Sequence, residues 1–324
     1  PHVRSDVQVE RGLYGVIVVR GDDEPPAAAE HVMVLDDVFL HDDGTFAPDS
    51  AATAMLGRQG NVILANGRPR PVVQVRTGER QRWRFVNASN ARYLRLSLPG
   101  EQFVLIGVDG GLIEAPLKLD KLLLVPGERV DLLVTPTGVP GTELDLLTLP
   151  YDRGEGTGGM AVANIMRVRY SPDPPAEPGP LPNRLRSIDA PPEPVRTRPI
   201  VFSEDDMSGM DGMPEMEPVF RINGEVFPDV TPLEAGLGES EIWEIANETM
   251  MDHPFHLHGF FFQVLSRGGV PEPYRAWKDT VNVAAGQTLG VAVVLDGFPG
   301  TWAFHCHILE HAERGMAGLL IVSP

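Results

Sequence analysis

Cysteine and basic residues are scarce in this 324-residue chain. The one cysteine, Cys306, excludes an internal disulfide framework, so the redox compartment cannot be inferred from cross-links. Only 27 Lys and Arg stand against 45 Asp and Glu, which gives a formal net charge of -18 at pH 7. This balance argues against binding to nucleic acid or to anionic lipid, because both need a basic surface. Cations and neutral organic molecules are easier partners for such a chain.

Long apolar runs are also missing. No run reaches the roughly 18 to 20 residues of a membrane span, and the longest, at residues 121–134, is interrupted by "PGERVD". The first residues lack the pattern of a secretion signal, in which a basic segment precedes an apolar one. Hydrophobic residues nevertheless make up 42% of the chain, which is enough for two ordinary domains with real cores.

A repeat in the sequence predicts the architecture. The segments "GERQRWRFVNAS" (78–89) and "GESEIWEIANET" (238–249) share Gly-Glu, Trp and Asn-x-Ser/Thr at an offset of 160 (238 minus 78), so Trp83 corresponds to Trp243. Similar matches precede and follow them, in segments that are short, alternating and bounded by Gly and Pro. Such segments are typical of strands joined by turns, and their repetition predicts an all-β chain of two tandem β-sandwiches.

The prolines indicate where the two sandwiches meet. Residues 171–199 contain ten prolines and almost no periodic apolar signal, a composition that stiffens an extended connector and cannot form a core. We therefore predict a first sandwich over 29–170, a linker over 171–199 and a second sandwich over 200–324. Residues 1–28, which include "GLYGVIVVRGDDEPP", are predicted to hold the last strand of a preceding domain that is missing from this sequence.

Two motifs near the C-terminus contain most of the histidines. The first, "TWAFHCHILEHAERGM" (301–316), places the single cysteine between two histidines. Residues two apart share a face of a strand, so His305 and His307 should point one way and Cys306 the other. The second, "MMDHPFHLHGFFFQV" (250–264), has the same parity: its last two histidines share a face, and its first should point to the opposite side. Each motif therefore contributes to two separate sites.

Sorting the side chains by face gives two candidate metal sites. Two histidines, one cysteine and a weak, distant methionine form the ligand set of a blue-copper electron-transfer centre. The other site has imidazole ligands only, which suit copper or zinc about equally. Because zinc cannot change its oxidation state, an electron-transfer copper beside the second site favours copper in both, with the cysteine as the conductor between them. The first set is His253, Cys306, His311 and Met316, and the second is His256, His258, His305 and His307.

The repeat provides an internal comparison for these ligands. At the equivalent positions the first sandwich has Tyr93, Leu96, Leu98 and Leu147. The first sandwich is therefore expected to keep the framework and to lack the ligands. His31 and His41 lie apart from both clusters and are interpreted as ordinary polar residues.

The motifs "HPFHLHG" and "HCHILEHAERGM" resemble the third and fourth copper signatures of the multicopper oxidases, and "GFFFQVL", "WKDTV" and "GTWAFHCH" extend the likeness. The resemblance implies cupredoxin-like Greek-key sandwiches, copper as cofactor, and one-electron oxidation of phenolic or metal-ion substrates coupled to reduction of dioxygen to water. It also implies a role for each ligand. Type 1 copper would be held by His253, Cys306, His311 and Met316, type 2 copper by His256, and the type 3 pair by His2, His258, His305 and His307.

His2 belongs to "PHVRSDVQVERGLYG", which resembles the second half of the family's second signature. The first signature, the start of the second and most of the N-terminal cupredoxin domain have no counterpart in this sequence. The trinuclear cluster is therefore expected to be incomplete in this chain, which we interpret as a fragment of a complete enzyme. The family pattern also differs at Ala312, where bacterial relatives often have a glutamate that delivers protons; here Glu313 follows one residue later.

A methionine-rich segment, "EDDMSGMDGMPEM", suggests one class of substrate. Thioethers beside carboxylates suit Cu(I), and similar insertions occur in bacterial cuprous oxidases, which the family includes. The alternative is a surface loop that happens to contain methionine. The candidates for a substrate-copper site are Met207, Met210, Met213, Met216 and Met251.

Two other functions are compatible with this fold: electron transfer or copper binding without oxygen reduction, and nitrite reduction. An electron-transfer or copper-binding remnant would have a blue centre and would not reduce oxygen. A copper nitrite reductase is disfavoured, because it needs one histidine beside the cysteine and here both flanks are histidine. The resemblance further implies dioxygen and a small reducing substrate as partners, and a periplasmic or secreted location.

Overall fold

The chain folds into β-sheets with three short helices, in a computed structural model that describes residues 1–22, 24–154, 157, 161–205 and 218–324. The strands of the first half are β1 (Ala29–Val38), β2 (Val62–Ala65), β3 (Arg68–Pro69), β4 (Val72–Arg76), β5 (Gln81–Asn87), β6 (Leu94–Ser97), β7 (Phe103–Val108), β8 (Gly111–Leu119), β9 (Leu122–Leu124), β10 (Arg129–Val134), β11 (Glu143–Leu149) and β12 (Ala163–Ser171). Those of the second half are β13 (Arg196–Glu204), β14 (Phe220–Ile222), β15 (Leu233–Gly236), β16 (Ser240–Asn247), β17 (His253–Leu257), β18 (Phe261–Arg267), β19 (Val270–Pro271), β20 (Thr280–Val283), β21 (Thr288–Val294), β22 (Gly300–Cys306) and β23 (Ala317–Ser323). The helices are α1 (Ser5–Glu10), α2 (Ala51–Leu56) and α3 (Leu309–Glu313). The prediction of an all-β fold is confirmed.

Each half consists of two sheets that enclose a core. In the first half the strand orders are β3-β2-β1-β5-β10-β7-β8 and β4-β12-β11-β6-β9. In the second half they are β14-β13-β16-β21-β18-β19 and β15-β23-β22-β17-β20. One buried apolar cluster joins the inner faces within each half, because alternating side chains of both sheets point into the same space.

The two halves share a framework, as the sequence repeat indicates. Trp83 on β5 and Trp243 on β16 are both completely buried. Asn87 and Asn247 end these strands, and each side-chain amide donates to two backbone carbonyls of its own half, at 2.8 and 2.9 Å. The asparagine of the repeated Asn-x-Ser/Thr motif therefore supplies hydrogen bonds to buried backbone carbonyls where the chain leaves the sheet.

The segment before β1 differs from the prediction. The sequence pattern predicts a strand within residues 1–28, but α1 is the one regular element over 1–22 and 24–28. A strand needs a neighbouring backbone to satisfy its N–H and C=O groups, and the described residues offer none to "GVIVV". The segment is held by side chains instead: the Tyr14 hydroxyl donates to Asp36 at 2.7 Å, and Glu24 pairs with two arginines of β5.

The connector between the halves has neither helix nor strand over residues 172–195. It is shorter than the predicted linker of 171–199, because β12 ends at Ser171 and β13 already begins at Arg196. Pro199 lies inside β13, where β14 pairs only with Phe202–Glu204. Among the described residues, that edge of the strand has no partner at Pro199, so its missing N–H costs no ladder hydrogen bond there.

Candidate metal centres

Two adjacent strands, β17 and β22, and the residues that follow them contain both histidine motifs. Their antiparallel register places Phe255 opposite Cys306 and His256 opposite His305. Because successive side chains alternate between faces, Cys306 points into the core of the second half, while His256 and His305 project from the other face. The strand pairing thus brings ligands from distant positions in the sequence to the same two faces.

The core side of β22 holds three potential ligands. His253, Cys306 and His311 are each completely buried, and their ligand atoms lie within 4.8 Å of one another. The Sγ of Cys306 lies 3.4 Å from Nδ1 of His253 and 3.9 Å from Nδ1 of His311, and the two Nδ1 atoms are 3.2 Å apart. Two imidazoles and a thiol therefore point their donor atoms at one space.

Hydrogen bonds fix which nitrogen each ring presents. Nε2 of His311 donates to the carbonyl oxygen of Met55 at 2.9 Å, and Nε2 of His253 lies 2.8 Å from the hydroxyl of Thr249. With the Nε2 positions engaged, both rings offer Nδ1 towards the thiol. Phe220 stacks on His311 with a centroid distance of 4.0 Å, which further fixes that ring.

Burial controls the protonation of this set. It lowers the pKa of His253 to about 3, so the imidazole stays neutral and able to ligate. It raises the pKa of the Cys306 thiol to about 12, so the proton stays on sulfur until a metal ion displaces it. Met316 is also completely buried in this core, and its carbonyl accepts the Cys306 N–H at 3.1 Å.

The opposite face holds the second group of histidines. His2, His258 and His305 have ligand atoms within 4.8 Å of one another. Nε2 of His258 lies 3.1 Å from Nε2 of His305, and the His2 ring is 4.7 Å from that of His258. The carbonyl of Cys306 accepts from Nδ1 of His305 at 2.8 Å, so the Nε2 lone pair of His305 faces His258. Burial lowers the pKa of His258 to about 4, which keeps this ring neutral as well.

His256 extends this group and is oriented by β20. Its Nδ1 lies 3.0 Å from the carbonyl oxygen of Asp279 and 2.9 Å from the hydroxyl of Thr280. Because a carbonyl can only accept, Nδ1 carries the proton and Nε2 is free for a metal. The Asp279 carboxylate in turn receives two hydrogen bonds of 2.6 Å from Arg129, which hold its pKa below the usual range although burial alone would raise it.

His307 completes the group and packs against the first half. A Cβ added to Gly127 would lie 2.5 Å from the His307 ring, and Gly127 has a φ of +83°. The His307 Nδ1 is buried and has no hydrogen-bond partner among the described residues. The His256 ring lies 5.5 Å from that of His307, and burial lowers the pKa of His307 to about 3. A buried, unpaired, neutral imidazole nitrogen fits a metal ligand.

Other residues singled out in the sequence lie elsewhere. Met207, Met210, Met213 and Met216 fall outside the described residues. Met251 is 1% exposed and forms an isolated bridge with Gly154, so its role in a substrate site stays a prediction. Glu313 accepts hydrogen bonds from the backbone and hydroxyl of Ser5, at 2.7 and 2.6 Å, and so joins α3 to α1. The His31 ring is 6.4 Å from the Trp83 ring, in the half without the clusters.

Several residues that shape the two centres were missed at the level of sequence. Thr249 lies at the end of the repeated segment 238–249, and Asp279 lies within "WKDTV", so both could have been identified from these motifs. Gly127, Met55 and Arg153 carry no local signal, because they approach the histidines only through the packing of one half on the other.

Together, the double sandwich and its Cys-His pattern define a β protein with one candidate Cys-His metal set and one cluster of histidines. Comparisons with known proteins agree, since multicopper oxidase family models match residues 29–142 and 199–324. The solved structure of the multicopper oxidase from Campylobacter jejuni, described as a metallo-oxidase, is 31% identical, with a TM-score of 0.90 over 100% of this chain and 70% of that chain. The chain therefore belongs to the multicopper oxidase family.

Curated relatives agree with this membership. The laccase of Bacillus subtilis (strain 168) is 28% identical over 96% of this chain, and the multicopper oxidase mco of Staphylococcus epidermidis is 32% identical over 82%. The chain spans 66% of the length of the first protein and 53% of the second. No helix among the described residues is long and apolar enough to cross a membrane.

Copper is the family's cofactor, and the side chains fit it. His253, Cys306 and His311, here called the core set, combine a thiol with two imidazoles that present Nδ1. This donor set selects a soft or borderline metal ion. The second group consists of imidazoles: ligand nitrogens of His2, His258 and His305 lie within 4.8 Å of one another, and Nδ1 of His307 is buried without a hydrogen-bond partner among the described residues. Hard oxygen-seeking cations would find no carboxylate among these ligands.

Proposed function

We propose that this chain provides the electron-entry site and part of the oxygen-reducing cluster of a laccase-like multicopper oxidase. One observation carries the proposal: at the end of β22, Cys306 belongs to the core set, while His305 before it and His307 just after the strand belong to the histidine group. The two sites are thus joined by a few covalent bonds of one strand. A single strand with ligands on both faces is suited to passing electrons from one site to the other.

Each ligand has a proposed place. When bound, copper would supply one-electron redox chemistry at the first site and the capacity to reduce dioxygen to water at the second. His253, Cys306 and His311 would hold type 1 copper, with Met316 as a weak further ligand, and His256 would hold type 2 copper. The residues His2, His258, His305 and His307 would hold the type 3 pair, as part of a trinuclear cluster.

The protein's own groups prepare both sites. Thr249 and the Met55 carbonyl hold the Nδ1 atoms of His253 and His311 in position, so little reorganisation accompanies a change of charge. Burial of all three ligands excludes water from the electron-entry site. At the other face, Asp279 and Thr280 orient His256, and Arg129 keeps the Asp279 carboxylate charged.

The proposed substrates are phenols or metal ions, with Cu(I) a specific candidate. A net charge of -18 favours the approach of cations, and the Campylobacter jejuni relative is described as a metallo-oxidase. The candidate Cu(I) ligands are the methionines 207, 210, 213 and 216, together with Met251. We further propose a periplasmic or secreted location, in keeping with the family resemblance.

The proposal is tested by replacing Cys306 with Ser in the copper-loaded protein. We expect the blue absorption to disappear and oxidation of a phenol, followed with an oxygen electrode, to fall to background, because the thiolate is both ligand and conductor. The matched control is the conservative change Thr301→Ser at the exposed start of the same strand, which should retain both signals. Unchanged oxygen uptake in Cys306→Ser would refute the path. A blue parent protein that consumes no oxygen would instead indicate the electron-transfer alternative.

A further inference from the structure

A loop of the first half is fixed against the residues that immediately precede His253. The carbonyl of Arg153, four residues beyond β11, accepts the Asp252 N–H at 2.6 Å, and Gly154 forms a bridge with Met251. A Cβ on Gly154 would lie 2.2 Å from the Met250 carbonyl oxygen, and its φ is +118°. The approach is therefore possible only with glycine at this position, and it places Arg153 beside the core set of ligands.

The Arg153 side chain lies next to His311. Its Nη2 donates to the carbonyl of Leu56, while Nε2 of His311 donates to the carbonyl of Met55, so the two groups bind consecutive carbonyls at the end of α2. The guanidinium carbon lies 5.6 Å from the centroid of the Tyr93 ring. Tyr93 belongs to the same buried apolar cluster as Cys306. The aromatic face thus supports a cation at the border of the ligand set.

This cation is buried and, within the described part of the chain, lacks a counter-ion. Arg153 is 2% exposed, and its Nε and Nη1 have no hydrogen-bond partner among the residues that the structure describes. Other buried arginines do have a carboxylate partner, as Arg92 does with Asp37 at 2.6 Å. A buried charge is costly unless it is paired, so the position of Arg153 calls for a role that a neutral side chain could not fill.

We propose that Arg153 raises the reduction potential of the type 1 copper site. The inference rests on the proposed binding of type 1 copper by His253, Cys306 and His311. When an electron arrives from the reducing substrate, the positive charge of the site falls by one unit. A fixed cation nearby opposes the more positive, oxidised form, and this effect is strong in a buried site because the effective dielectric constant is low. The reduced form is therefore favoured.

The test compares Arg153→Met with the parent in the copper-loaded protein by redox titration of the blue absorption. We expect the equilibrium constant for reduction to fall by about tenfold, which corresponds to about 59 mV for one electron. The difference should persist at high salt, because buried charges are poorly screened. Arg153→Lys retains the charge and should lie closer to the parent than to the methionine variant.

Arg95→Met is the matched control. Arg95 comes from the same half, and its guanidinium bonds the Pro150 carbonyl at 3.5 Å on the exposed side. Removing this charge should change the potential less than Arg153→Met does, and salt should abolish the change.

Two outcomes would overturn the inference. The first is a potential in Arg153→Met equal to that of the parent; the second is an equally large fall in Arg153→Lys, which would point to packing rather than charge. Should the methionine variant fail to fold, the lysine variant alone decides, because a tenfold fall despite retained charge contradicts the proposal. A parent protein without blue absorption would refute the proposed copper site itself, a result separate from these.

Discussion

At the scale of single residues, the candidate ligands can be predicted from the sequence, but the residues that hold them in position cannot. Alternation along a strand is a local property, so the opposite directions of Cys306 and His305 can be read from adjacent letters. The hydrogen bond from His311 to the Met55 carbonyl joins positions 256 residues apart, and no local pattern encodes it. Gly127 is a further case: only glycine fits at this position, because the His307 ring occupies the space that a side chain would need.

Replacing Gly127 with Ala should damage the histidine group selectively. The new methyl group would lie 2.5 Å from the His307 ring, so the ring must move and its alignment with the other imidazoles is lost. We expect bound copper per chain to fall while the blue absorption remains. Gly100→Ala is the control, because Gly100 has a similar φ of +82° and nothing within 4 Å of an added Cβ. Equal copper loss in both variants would show that backbone strain, rather than the contact, is responsible.

At the scale of elements, the sequence predicts the repeated strands of the two sandwiches better than it predicts the structure of the N-terminal segment. Trp83 and Trp243 lie at equivalent points of β5 and β16 because each sandwich must bury the same large side chain between its sheets. Residues 11–28 carry a strand-like pattern, yet strand formation depends on a partner that local sequence does not specify. The α1 helix before them is positioned by long-range contacts, such as that between Ser5 and Glu313.

The last residue of α1 should make stability depend on pH. Burial raises the pKa of Glu10 to about 8, above its ordinary value of 4.5, so the folded state binds this proton more tightly than the unfolded state. Stability from this group is therefore complete below about pH 4.5 and is lost as the pH rises towards about 8. In Glu10→Gln, which keeps an oxygen acceptor for the Phe39 N–H, the fall in urea midpoint between about pH 5 and about pH 8 should be smaller than in the parent. Parallel curves for the two proteins would contradict this assignment.

At the scale of the whole molecule, the first half, which contributes none of the candidate ligands on its own sheets, helps to form both candidate metal centres. It supplies Gly127 and Arg129 to the histidine group and Arg153 to the core set. The sequence repeat could show that this half lacks ligands, but its contribution to the sites depends on how the halves pack. Opposite charges from both halves are buried at this contact. Lys278 of the second half binds Asp109 at 3.2 Å and Glu128 at 3.1 Å, both from the first half.

Replacing Lys278 with Met should therefore weaken the association of the halves. Lys278 is 6% exposed and the side chain of Asp109 is fully buried. The variant would take the Lys278 cation from Glu128 and leave Asp109, among the described residues, with only Arg129, at 3.6 Å. Removing one partner of a buried ion pair typically costs about 3 to 5 kcal/mol. We expect a loss of this order in the free energy of unfolding by urea, together with earlier proteolysis in the connector at residues 172–195. Lys121→Met, on an exposed lysine of the first half, removes the same charge and should change stability little. If the two variants unfolded at the same urea concentration, the buried lysine would not be what holds the halves together.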